Sequence, residues 1–175
     1  MSEENIPQKI DPFRFAENGL RIKGVLSVKN MNRLCESLYN DSGKVDINIE
    51  FGKDEQKVSF LKGNISCILQ LQCQRCMEPY SFEVSNKIKL AIVHTEEEAE
   101  KLSKGYDTIV ANDDILIIQD VIEDELIINL PVVPRHPLKE CKGLPVIESA
   151  EPVVKEEKEN PFKVIEFLRK KRDLQ

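Results

Sequence analysis

Ile65-Ser66-Cys67-Ile68-Leu69-Gln70-Leu71-Gln72-Cys73-Gln74-Arg75-Cys76 is the stretch on which the fold turns. Its members Ile65, Cys67, Leu69, Leu71 and Cys73 are apolar at every second position, which places them all on one face of a strand. Downstream, Phe82, Val84, Ile88, Leu90 and Ile92 repeat the pattern with one interruption at Asn86. Gln74 to Ser81, which includes Pro79, joins the two runs. An antiparallel pair with a knuckle-like turn is the expected result.

Upstream, Val45, Ile47, Ile49 and Phe51 alternate strictly and read as another strand, and after Gly52 to Glu55 a further one starts at Val58 and Phe60. Leu20, Ile22, Val25, Leu26 and Val28 around Gly24 predict a first strand. Met31, Leu34 and Leu38 recur at helical spacing with Cys35 beside them, until Asn40-Asp41-Ser42-Gly43 stops the pattern. Asp11-Pro12-Phe13 opens the ordered part.

Beyond the hairpin, Glu96 to Lys104 reads as a short charged helix and Tyr106 to Val110 as a brief strand. Asn112-Asp113-Asp114 offers N-caps for a helix whose apolar stripe is Ile118, Val121, Ile122 and Leu126, with Asp120, Glu123, Asp124 and Glu125 mostly on its other side and Pro131 at its end. The expected architecture is α+β: an antiparallel sheet carrying a Cys-x-x-Cys turn, a few packed helices and a flexible C-terminal tail. Residues 1–148 form the domain. An acidic, unpatterned linker follows at 149–160, and 161–175 is a disordered tail or a short helix in which Phe162, Val164, Ile165 and Leu168 precede the basic run Arg169-Lys170-Lys171-Arg172.

With 41% apolar and 32% charged residues in 175, the chain can build a core without disulfides. Met1 to Leu20 contains no apolar run of signal-peptide length, and no eighteen uninterrupted apolar residues occur. The expectation is a cytoplasmic protein with no membrane partner. In a reducing compartment its five cysteines serve as thiols or metal ligands rather than bridges.

One cluster carries chemistry: Cys73 and Cys76 in the turn, with His136 and Cys141 after the acidic helix. Three thiolates and an imidazole suit the four tetrahedral corners of zinc, and a shell so closed would be structural. Pro134 and Pro137 stiffen the backbone presenting the second pair. The same residues also read as free, half-buried thiols, since unpaired cysteine behaves as a small hydrophobe. A thiol oxidoreductase needs its Cys-x-x-Cys at the start of a helix within a strand-helix-strand unit, whereas here it joins two alternating strands. Cys67 falls within the core alternation. His94 reads as a surface or capping residue, and the acidic clusters as solvated faces. No phosphate-cradling or nucleophile-elbow glycine motif occurs, so no catalytic residue and no small-molecule substrate is indicated.

A net charge of −6 disfavours nucleic acid as a partner, but its distribution weakens that objection. Between Glu96 and Glu125 eleven acidic residues stand against Lys101 and Lys104, a balance of −9, which leaves +3 for the rest. Arg75 in the turn and Arg135, Lys139 and Lys142 beside the second ligand pair would form a small positive patch suited to RNA, if those segments meet. Tryptophan is absent and aromatics are 6%, so base stacking on a reading surface is not indicated.

Three stretches together resemble the YceD family. They are Cys73-Gln74-Arg75-Cys76 followed by Glu78-Pro79; Val121 to Leu126 running into Leu130-Pro131-Val132-Val133-Pro134 with His136 and Cys141; and Asn160-Pro161-Phe162. Asp11-Pro12 fits as well. The resemblance implies a non-enzymatic factor linked to synthesis, processing or stability of large-subunit ribosomal RNA, acting on that RNA, on a pre-ribosomal particle, or through a ribosomal or assembly protein. It implies no catalytic residue, and the metal site rests on the side chains alone.

Overall fold

The computed structural model divides into two units, Met1–Leu144 and Pro145–Gln175, and the structure describes residues 6–102 and 107–142 of the first. The expected linker at 149–160 and tail at 161–175 lie outside the described residues. The elements are β1 (Lys9–Ile10), α1 (Pro12–Glu17), β2 (Arg21–Ser27), α2 (Asn32–Cys35), β3 (Lys44–Lys53), β4 (Ser59–Gln72), β5 (Pro79–Val93), α3 (Glu96–Leu102), β6 (Asp107–Val110), β7 (Leu116–Ile117) and α4 (Ile118–Ile128). The fold is α+β. A five-stranded sheet runs in the order β2-β3-β4-β5-β6, and β1 pairs with β7 in a small ribbon.

Alternation drives the sheet as expected. Val45, Ile47, Ile49 and Phe51 of β3, Leu61, Ile65 and Leu69 of β4, and Val84 and Ile88 of β5 turn inward and are buried. Ile118, Val121, Ile122 and Leu126 of α4 and Leu34 of α2 complete the core against that face. Each such side chain contributes roughly 1.5–3 kcal/mol when fully buried. The apolar stripe of α4 therefore fixes it on one side of the sheet, and most of the other side faces solvent, except at the end of β5, where Ala91 and Val93 are buried.

Four local features differ from the sequence reading. The strand opened by Val58 and Phe60 and the long alternation after Gly63 are one strand, which pairs with β3 from Ser59 to Cys67 and with β5 from Phe60 to Gln72. Gly63 sits opposite Ile49 and Ile88, and a Cβ there would lie 2.2 Å from the Asn48 carbonyl oxygen, so only glycine allows the two strands to approach this closely. Secondly, Asp11 is an N-cap: its carboxylate accepts the Arg14 N–H at 2.9 Å, Pro12 occupies the first turn, and α1 results. Thirdly, Asn112-Asp113-Asp114 forms a tight turn with Asp113 and Asp114 at φ 52° and 56°, rather than capping α4. That turn frees Leu116 and Ile117 to pair with β1, and α4 starts directly after them. Finally, β6 lies parallel to β5, because α3 carries the chain back across the sheet.

Among the described residues no helix is long and apolar enough to cross a membrane. His94 is an exposed residue, as expected: its ring stacks on Phe13 at 3.8 Å and its Nδ1 lies 3.1 Å from Asp114. Cys35 and Cys67 pack into the core, and burial, then the nearby Asp46, pushes the Cys67 thiol up to about 11.

Candidate metal centre

The alternation of β4 does not stop at its last ladder residue. Cys73, one position beyond, is fully buried on the inward side, continuing Leu69 and Leu71. The chain then reverses: Cys73 N–H donates to the Glu78 carbonyl at 3.0 Å and Met77 N–H to the Cys73 carbonyl at 2.8 Å, with Met77 in the left-handed region at φ 61°. This tight turn presents Cys76 on the same side as Cys73.

The second ligand pair arrives from the end of α4. Asn129 and Leu130 close its last turn, and the proline-punctuated segment that follows docks on the hairpin, where Gln74 N–H donates to the Pro134 carbonyl at 2.9 Å. A turn from Pro137 to Glu140 then returns the chain, and Cys141 is buried. The Tyr80 ring lies 5.1 Å from the imidazole of His136 and supports it.

The result is convergence. The three sulfurs and an imidazole nitrogen all lie within 4.8 Å of one another. His136 Nδ1 is 3.3 Å from Cys76 Sγ, and His136 N–H donates to Cys73 Sγ at 3.4 Å. In a tetrahedral zinc–thiolate shell with bonds of ~2.3 Å, neighbouring sulfurs stand about 3.8 Å apart, so a contraction of about 1 Å at most would close the shell. The donor set fits, since soft thiolates with one imidazole select zinc-like ions.

Electrostatics favour anionic sulfur here. Burial would raise the Cys73 thiol, but the backbone N–H groups of His136, Cys76 and Arg75 donate to it and bring it down to about 5. Cys76 is pushed up, chiefly by burial and also by Cys73 and Cys141 beside it, as expected when like charges share a small volume without a cation.

Arg75 takes a position that residue type alone could not reveal. Its Nε donates to Cys141 Sγ at 2.9 Å and its Nη2 to the His136 carbonyl at 2.9 Å, so the guanidinium grips the opposite ligand pair. Arg135, Lys139 and Lys142 are exposed. Tyr80 belongs to no motif; its place on β5 next to the turn is the one signal in the sequence that points to it. Glu123, expected on a solvated face, is buried instead, with Oε1 accepting the Leu34 N–H at 3.0 Å and Oε2 accepting from Arg33 at 3.1 and 3.3 Å.

Residues 61–169 match the family described as large ribosomal RNA subunit accumulation protein YceD. The chain belongs to the YceD family. The large ribosomal RNA subunit accumulation protein YceD of Haemophilus influenzae is 32% identical over 176 residues, covering 98% of this chain and all of the relative. No solved structure matches the chain. All four converging residues fall inside the matched span, and so do β5, α4 and the segment that carries His136 and Cys141.

Proposed function

We propose that this chain is a non-enzymatic cytoplasmic factor supporting the synthesis, processing or stability of large-subunit ribosomal RNA, with Cys73, Cys76, His136 and Cys141 holding a structural zinc. Family membership supports the RNA role, and the convergence of the four donor atoms within 4.8 Å carries the metal reading. A zinc held by four side chains keeps no position for water or substrate, which supports a scaffold rather than a catalyst. Its work would be to staple the β4–β5 turn to the segment after α4 and so fix the shape that a ribosomal partner meets. Three thiolates and one divalent cation leave a charge of about −1, which the neighbouring Arg75 offsets.

Deleting the protein in its own cells and measuring the ratio of large- to small-subunit ribosomal RNA tests the role. The expected result is a fall that the intact gene reverses and a Cys73→Ser/Cys141→Ser version does not; an unchanged ratio rejects it. Elemental analysis of purified protein should return one zinc per chain, and none in the double variant. Crosslinking in cells separates direct RNA contact from action through a ribosomal or assembly protein.

A further inference from the structure

The solvent face of the sheet is built in register rows, and two of them are basic. In one, Lys23 pairs with Asn48, Asn48 with Asn64 and Asn64 with Lys87. In the next, Arg21 pairs with Glu50, Glu50 with Lys62 and Lys62 with Lys89. The two rows hold five cations and a single carboxylate, and every member except half-buried Glu50 is exposed. Glu50 lies 3.1 Å from Arg21 and 3.9 Å from Lys62, so it organises these two and leaves the two rows net positive, while Asp46 and Glu83 lie further along the same face. A shallow depression of ≈ 450 Å³ runs along the rows between Arg21 and Lys89.

The acidic residues of α4 stand elsewhere, because α4 packs its apolar stripe on the opposite face of the sheet. The molecule's net charge therefore says little about this surface. Strands lie ~4.8 Å apart, so the cations of β2 and those of β5 form two columns about 14 Å from one another, with the amides of Asn48 and Asn64 between them.

We propose that this face binds double-helical RNA across a groove, the two basic columns meeting the two phosphate strands and the central amides meeting sugar hydroxyls. The proposal rests on the ribosomal RNA reading and adds to it a binding surface and a form of RNA. The A-form minor groove is wide and shallow and displays 2′-hydroxyls, which an amide can both donate to and accept from. Single-stranded RNA would need stacking platforms. Phe60, the aromatic that alternation puts on this face, packs against Gly52 and lies 5.2 Å from Lys62 Nζ, and is thus engaged.

The test is a fluorescence-anisotropy titration of the full chain against a 20-base-pair RNA duplex and a DNA duplex of the same sequence, over a range of potassium chloride. Lys23→Gln/Lys62→Gln/Lys87→Gln should weaken RNA binding on the order of tenfold or more and flatten the salt slope by about 3, whereas arginine at the same positions should preserve both. Asn48→Ala/Asn64→Ala should narrow the preference for RNA over DNA. These side chains are exposed, so melting temperature and zinc content should stay unchanged and report folding. Unaltered binding by the glutamine variant, equal wild-type affinity for both duplexes, or loss confined to an Arg135→Gln/Lys139→Gln/Lys142→Gln variant overturns the proposal. If the glutamine variant loses duplex binding yet deletion of the protein leaves the ribosomal RNA ratio unchanged, the surface stands and the cellular role falls. A glutamine variant that binds duplex normally in a cell where deletion does lower the ratio has the opposite meaning.

Discussion

Arg75 Nε donates to Cys141 Sγ across 2.9 Å while Nη2 of the same guanidinium reaches the His136 carbonyl. One residue inside the Cys-x-x-Cys turn thus orients the other pair of candidate ligands. Groups that position metal ligands in this way typically govern affinity by 10–100-fold. Arg75→Ala should therefore bind zinc about that much more weakly, read by competition with a chromogenic chelator. Arg75→Lys should recover little, because an ammonium cannot reproduce the planar fork. An alanine variant with unchanged affinity would remove Arg75 from the centre.

Glu123 of α4 and Leu34 of α2 form a second clamp. The buried carboxylate satisfies a buried backbone N–H at 3.0 Å, and removing the acceptor strands that donor at a cost of ~1–3 kcal/mol. The ion pair with Arg33 adds little, since the Arg33 side chain is 54% exposed. Urea denaturation should rank stability as wild type, then Glu123→Gln, then Glu123→Ala, with the alanine variant lower by about 2 kcal/mol. Equal midpoints for alanine and wild type would mean that the clamp contributes nothing.

The parts of the structure that are legible in the sequence share a physical basis. Alternation in β3, β4 and β5 reports burial of one face, which sequence periodicity encodes directly, and the ligand types at 73, 76, 136 and 141 report their chemistry wherever they fold. Gly63 stands between the run opened by Val58 and Phe60 and the alternation that starts at Ile65, and glycine marks both turns and close strand approach. The usable signal is phase: Leu61 and Ile65 stay on the same face on either side of it. The parallel pairing of β6 depends on the crossover through α3, and the burial of Glu123 on an N–H far away in the chain. Neither leaves a local trace. Arg75 is of a residue type that suits an exposed phosphate contact and an internal clamp equally well.

Gly63→Ala tests the close approach of β3 and β4. The added Cβ would meet the Asn48 carbonyl oxygen at 2.2 Å and Ile49 Cα at 2.8 Å, both backbone atoms that no rotamer change can move. The strands must separate locally, at a cost of about 3 kcal/mol or more for an overpacked core site. Chemical denaturation should show that loss. Gly19→Ala is the control for added side-chain bulk, because nothing lies within 4 Å of the point its methyl would occupy, although its φ of 59° leaves a smaller cost of backbone strain.

Met77 offers a gain rather than a loss. Its φ of 61° places an L side chain in the left-handed region, and its own hydrogen bonds hold it there: N–H to the Cys73 carbonyl at 2.8 Å, and carbonyl accepting from Gln72 Nε2 at 3.3 Å. The side chain is 60% exposed, so little packing is at stake. Left-handed backbone costs a non-glycine residue roughly 1–2 kcal/mol, and glycine gives back about 0.5–1 through its freer unfolded chain. Met77→Gly should therefore be stabilising by about 0.5 kcal/mol, a rise of roughly 1–2 °C in the zinc-loaded protein. Met77→Val should melt lower than wild type, because a branched Cβ tolerates this conformation least. If glycine, methionine and valine melt together, the turn is not strained, and the backbone reversal that brings Cys73 and Cys76 to one side must be set by the hydrogen bonds alone.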